Sequence, residues 1–109
     1  MIICVPVTKD GNIDPRWGRA DWVAIADVQD GKIDTWLEVE VSWSRLHDEG
    51  TEGAHHARVV KFLREHNVES VVVHHMGDGM TRMLNTMGIP VQLGADGNAR
   101  TAVQKAIQL

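Results

Sequence analysis

The order of hydrophobic segments predicts an α/β domain: three strands first, then helices and strands in alternation. Three observations carry this expectation. Residues 2–7 form a short apolar run that ends in turn residues. Asp30-Gly31 sits between β-branched residues, the signature of a tight hairpin. From residue 54 onward, stretches of helical spacing alternate with short β-branched runs, which implies parallel pairing through right-handed crossovers.

The elements follow in order. Residues 2–7 read as a strand buried on both faces, and residues 9–19, rich in Gly, Asp, Asn and Pro, as a loop. Residues 22–28 and 32–41 are the arms of the hairpin. In the second arm Glu38 and Glu40 alternate with Leu37, Val39 and Val41, so one face is expected to be wet, as at a sheet edge. Residues 44–53 carry charges and two glycines and read as a flexible loop. Val59, Phe62, Leu63 and His66 set a first long helix over 54–66, and residues 70–74 are a fourth strand. Gly77-Asp78-Gly79 opens a second helix with Met80, Met83, Leu84 and Met87 on one stripe, closed by Gly88 and Pro90. Residues 91–93 are a fifth strand. A turn over 94–97 leads into a last helix with Ala99, Ala102, Val103, Ala106 and Ile107 inside.

Composition narrows the function. The 109 residues suffice for one domain, expected to span 1–109, with roughly two-thirds of the unfolded surface buried. The net charge is -4 and no Lys/Arg cluster occurs, so nucleic acid is not an expected partner. The single cysteine, Cys4, lies in an apolar run and reads as a core thiol; alone it builds neither an internal disulfide nor a thiolate metal site. No segment reaches the ~20 apolar residues of a membrane span, and the N-terminus lacks a basic leader, so a cytoplasmic protein is expected.

The chain order gathers particular residues at one sheet edge. His55 and His56, at the start of the first long helix, fall beside the end of the fourth strand with His74, His75 and Met76. The turn Gly77-Asp78-Gly79, residues 94–97, the strand-one exit at Thr8 to Asp10 and the loop from Pro15 to Ala20 join them. Open α/β sheets bind ligands at this edge. Several chemistries are compatible with it. Neutral imidazoles of His55, His56, His74 and His75 are candidate metal ligands, although no His-x-x-x-His spacing fixes a site, and only one of His74 and His75 can face a given pocket. Arg16, Arg19 and the Gly77 turn suit an anion or a nucleotide-like ligand. Asp10, Asp78 and Asp96 would suit a Mg²⁺-dependent hydrolase if they gathered, but each also sits beside a glycine in a turn. The methionine stripe reads as packing, Trp17 as a possible ligand cover, and His47 and His66 as loop and surface residues. No nucleophile paired with a base is apparent, so no catalysis is expected.

Three segments together resemble a known family. The start Ile2-Ile3-Cys4-Val5-Pro6-Val7, the loop Trp17-Gly18-Arg19-Ala20 with the following residues 25–33, and the second half with Met76-Gly77-Asp78-Gly79-Met80 and Met87-Gly88-Ile89-Pro90-Val91 resemble the dinitrogenase iron–molybdenum cofactor biosynthesis family. The sharpest motif is the aromatic-Gly-Arg-Ala loop. The resemblance implies a three-layer α/β/α, ribonuclease-H-like fold with sheet order 3-2-1-4-5 and strand two antiparallel. It implies a small carrier, a monomer or weak homodimer, that receives an iron–sulfur or molybdenum–iron cluster or its precursor from one protein and passes it to another. On this reading Arg16, Trp17, Gly18, Arg19, Gly77, Asp78 and Gly79 bind the cluster, with His55, His56, His74 and His75 as metal ligands. One departure stands out. The family loop reads His-Phe-Gly-Arg-Ala, and here Arg16-Trp17 replace His-Phe. A guanidinium cannot ligate a metal but pairs well with an anion.

Overall fold

The computed structural model describes residues 1–108. The chain runs β1 (Ile2–Val7), β2 (Trp22–Gln29), β3 (Lys32–Glu40), α1 (Trp43–Leu46), α2 (Glu52–Glu65), β4 (Ser70–Val72), α3 (Asp78–Thr86), β5 (Val91–Gln92) and α4 (Ala99–Ala106). The strands form one sheet in the order β3-β2-β1-β4-β5. β1 is antiparallel to β2 and parallel to β4, and β4 is parallel to β5. The hairpin forms where Asp30-Gly31 predicts it. Both residues take left-handed backbone, φ 53° and 75°, the twist that lets two strands fold directly onto each other.

Strand alternation splits the core into two layers. Cys4, Val23, Ile25 and Val71 face α2 and α3, packing with Val59, Leu63, Met80 and Leu84. Ile3, Val5, Ala24, Ala26 and Val72 face α4, packing with Ala99, Ala102 and Val103. The sheet therefore lies between helices on both sides, as the three-layer expectation required. Burial pushes the Cys4 thiol far above its ordinary pKa, which fits a core thiol. No helix is long and apolar enough to cross a membrane among the described residues.

The boundaries differ from expectation in instructive ways. The stretch over 44–53 is not simply a loop: α1 opens it, anchored by Trp43, which is 2% exposed. α2 begins at Glu52 rather than 54, because the Thr51 hydroxyl accepts the Ala54 N–H at 3.0 Å and caps the helix. β4 and β5 stop short of the expected residues 74 and 93. The edge strand β3 is less cleanly two-faced than its pattern suggests. Leu37 is 56% exposed, while Trp36, beside Glu38, is partly covered by the Arg100 guanidinium 4.7 Å from its ring. A strand with a neighbour on one side only gives its apolar residues incomplete cover.

One feature of the topology prepares the site. β2 occupies one flank of β1 as far as Val7. On the other flank, β4 pairs with β1 only at Ile3 and Cys4. Beyond that point Ile13 bridges Val7, and the Asp14 N–H donates to the Pro6 carbonyl at 3.0 Å. The Ile13–Asp14 segment thus takes β4's place beside the end of β1. The chain that follows, carrying Arg16 to Arg19, is delivered over the carboxyl ends of the parallel strands.

Candidate functional site

The buried Asp14 starts the loop. Its carboxylate accepts the Arg16 backbone N–H at 2.9 Å and the Arg16 guanidinium at 3.3 and 3.4 Å. A single 3-10 turn, Trp17–Arg19, follows. Trp17 is 4% exposed and packs edge-on to Trp43 with centroids 5.1 Å apart. It anchors the loop in the α2/α3 layer instead of lying over a ligand, and its indole N–H has no acceptor among the described residues.

Beside this turn lies a cleft of about 430 Å³, within the range of small-molecule sites. One wall is the loop: Arg16, Trp17, Gly18 and Arg19. The first turn of α2 supplies Glu52, His55 and His56, and the β4–α3 connection with the first turn of α3 supplies His75, Gly77, Asp78 and Gly79. All seven residues expected to bind a cofactor therefore line one cleft, together with three of the four expected metal-ligand histidines. The fourth, His74, does not. As adjacent residues of an extended segment must, His74 and His75 point apart. The His74 Nδ1 faces the Ala95 carbonyl at 3.2 Å, while His75 lines the cleft.

The edge is in fact divided. Residues 94–96 belong to a second cleft, about 240 Å³, on the α4 side with Thr101 and Lys105. Asp78 and Asp96 consequently lie in different clefts, and Asp10 lines neither. Among the described residues no group of three or more His, Cys, Asp or Glu side chains stands close enough to hold a metal ion. The carboxylate gathering that a Mg²⁺-dependent hydrolase requires is not formed.

The histidines of the cleft differ in what they can do. His55 is 2% exposed, and both ring nitrogens are engaged: Nε2 lies 2.9 Å from the Gly18 carbonyl and Nδ1 lies 2.8 Å from an Arg58 guanidinium nitrogen. Burial, the dominant cause, holds its pKa below the ordinary 6.5, so the ring stays neutral. A ring with both nitrogens committed offers no lone pair to a metal. His56 is half-buried, its Nε2 3.9 Å from Glu52, its ring above the first turn of α3 near Gly79. His75 is exposed. His56 and His75 thus have ring nitrogens open to a ligand, and the buried His47 Nδ1 is without a hydrogen-bond partner among the described residues. His47, read from sequence as a loop residue, also lines the cleft, its ring 4.9 Å from that of His55. No local pattern marks it; α1, too short to be seen in the sequence, brings it there. Next to it, the Arg19 guanidinium bonds Asp48 at 3.2 Å and, with His47, holds that carboxyl below its usual range.

Electrostatically, the formal charges along the cleft cancel: Arg16 and Arg19 against Glu52 and Asp78. What remains is the backbone. The first turns of α2 and α3 both abut the cleft, each end carrying roughly half a positive charge. α2 has its Thr51 cap, but α3 begins at Gly77 with no side-chain cap, which leaves backbone N–H donors for an outside acceptor. The cleft is suited to an anion. No Ser, Thr, Cys, Lys or Tyr lines it among the described residues.

Comparison with known proteins agrees with the fold. No curated protein matches the chain. The apo form of the orange protein from Desulfovibrio gigas superposes with a TM-score of 0.79 at 22% identity, covering 98% of this chain and 87% of its own. A NifB-like protein from Thermotoga gives 0.72 at 23%, with coverage of 98% and 87%. A dinitrogenase-like protein from Methanocaldococcus jannaschii gives 0.70 at 11%, with coverage of 99% and 88%. At these identities the likeness speaks for the fold. The family model described as dinitrogenase iron-molybdenum cofactor matches residues 1–109, and the chain belongs to that family.

Proposed function

We propose that this chain is a single carrier domain, without catalysis of its own, for an anionic iron–sulfur or molybdenum-containing cluster or its precursor. The observation that carries this reading is the cleft between the Arg16–Arg19 loop and the uncapped start of α3. Its formal charges cancel, so the free N–H groups at the start of α3 favour an anion, and His56 and His75 offer ring nitrogens within it. Membership in the iron-molybdenum cofactor family supplies the cargo class. The orange protein is a fold neighbour described in an apo form, a state defined against a loaded one.

The donor set also argues for transfer over permanent storage. The one cysteine is buried and stays protonated, so no thiolate ties the cargo down. Arg19 and the α3 N–H groups hold negative charge by hydrogen bonding, and two imidazoles add at most a weak ligand pair. Arg16, already paired with Asp14, contributes a fixed cation instead of a ligand. Such contacts release their cargo when a partner offers stronger ligands, which fits exchange with cluster donor and acceptor proteins. The lack of a hydroxyl or thiol nucleophile in the cleft supports a non-catalytic role.

The test is anaerobic reconstitution with iron, sulfide and molybdate, followed by desalting. Bound metal with visible absorbance, lost in the His56→Ala/His75→Ala double variant, is the expected result. A colourless, metal-free protein that instead retains inorganic phosphate would replace the cluster with a plain anion as the ligand.

A further inference from the structure

His55 sits in the cleft wall yet has no nitrogen to give a ligand, and its bonding partners fix its chemical state. A carbonyl oxygen only accepts, so the nitrogen facing Gly18, Nε2, carries the proton. A guanidinium only donates, so Nδ1, facing Arg58, is the bare acceptor. The same Arg58 nitrogen also donates to the Leu46 carbonyl at 3.1 Å, which employs both of its hydrogens. One unbroken chain of hydrogen bonds therefore joins the end of α1, α2 and the middle residue of the Trp17–Arg19 turn. Among the described residues no hydrogen bond from the turn's own side chains replaces this link: Trp17 donates to none of them, and Arg19 reaches the exposed Asp48 alone.

We propose that His55, held in its neutral Nε2–H form by Arg58, is a positioning residue that fixes the Gly18 carbonyl and thereby sets where Arg19 and the turn stand over the cleft. It touches no cargo. The inference rests on the cleft being the binding site, but the positioning itself is a property of the empty protein. A ring serving as a metal ligand would need Nε2 or Nδ1 stripped of its partner, with either the turn or Arg58 set loose.

The test uses the full chain in three forms: wild type, His55→Gln and His55→Leu. Glutamine keeps one donor and one acceptor on a side chain of similar reach; leucine keeps only bulk. Ring nitrogen shifts in ¹⁵N-labelled wild type should show Nε2 protonated and Nδ1 bare. Amide exchange should show the Arg19 and Ala20 N–H groups, which donate to the Arg16 and Trp17 carbonyls, protected in wild type and His55→Gln and unprotected in His55→Leu, with α4 equally protected in all three. Molybdate affinity should follow, with His55→Leu weaker by about tenfold, the worth of one buried hydrogen bond, and His55→Gln within about twofold of wild type. If His55→Leu does not fold, Arg58→Met takes its place, because it removes the donor to Nδ1 and should loosen the same two amides. A ring protonated at Nδ1, or full protection of the Arg19 and Ala20 amides without the His55 bonds, overturns the proposal. Wild type that fails to bind molybdate counts against the cargo reading alone, and the exchange data still decide the positioning role.

Discussion

Two clefts share one edge of this sheet, and they differ in what their backbones leave unsatisfied. Each is built from a turn rich in glycine and aspartate that enters a helix: residues 77–79 into α3, and residues 94–97 toward α4. At α4 the Asn98 side chain accepts the Thr101 N–H at 2.9 Å and closes the helix from within. At α3 the corresponding residue is Gly77, and nothing in the side chains closes it. The His74-His75 pair is divided between the two: His74 bonds the Ala95 carbonyl at the smaller cleft, and His75 lines the larger. Motifs that look equivalent in sequence thus end in one self-satisfied helix start and one open to a ligand. The difference lies in capping, not in the glycines.

The comparison can be broken at several points. The largest effect should come from Trp17→Ala, which removes the anchor beneath the larger cleft. Loss of a buried aromatic costs about 3–5 kcal/mol, so urea unfolding should shift strongly and binding should disappear with the wall. Next, His75→Ala should weaken molybdate or cluster binding by about tenfold while His74→Ala stays within about twofold, measured by metal content after desalting. Equal losses would erase the distinction between the clefts. Third, Asn98→Ala should cost about 1 kcal/mol of stability and leave binding unchanged, since it uncaps the helix at the cleft assigned no cargo.

The pH response is a fourth check. His55 resists protonation in the folded protein, mainly because it is buried, whereas in the unfolded chain it titrates near 6.5. Below that pH the unfolded chain binds the additional proton, so stability is fully present above 6.5 and declines as pH falls beneath it. Thermal melts should show this decline in wild type and a shallower one in His55→Gln. The smallest effect belongs to Gly77→Asp. A side-chain cap should stabilise α3 by a few tenths of a kcal/mol and at the same time lower anion affinity, because the new carboxylate takes the N–H groups that the ligand would use.

Much of this was legible in the sequence, and the exceptions have physical reasons. The hairpin and the meeting of Arg16–Arg19 with Gly77–Gly79 follow from local turn chemistry and from chain order, both written in short stretches of residues, whereas the sheet order came from the family resemblance. The role of His55 was not legible. Its partners, Gly18 and Arg58, stand 37 and 3 positions away, and a histidine at a pocket edge reads alike whether its nitrogens are free or committed. α1 was missed because four residues carry no periodicity, and with it went the placement of His47. The division of the edge into two clefts depends on which way His74 turns. Alternation says that the pair must split but not which member goes where.

The central claim is that an anionic metal cluster sits at the open start of α3 and not at the capped start of α4. Crystals grown from anaerobically reconstituted protein, with anomalous diffraction recorded at the molybdenum and iron edges, locate the metal directly. The account predicts anomalous density between the Gly77–Gly79 turn, Arg19 and the His56 and His75 rings, with His55 still bonded to Gly18. Density on the α4 side, or metal ligated by His55, would contradict it.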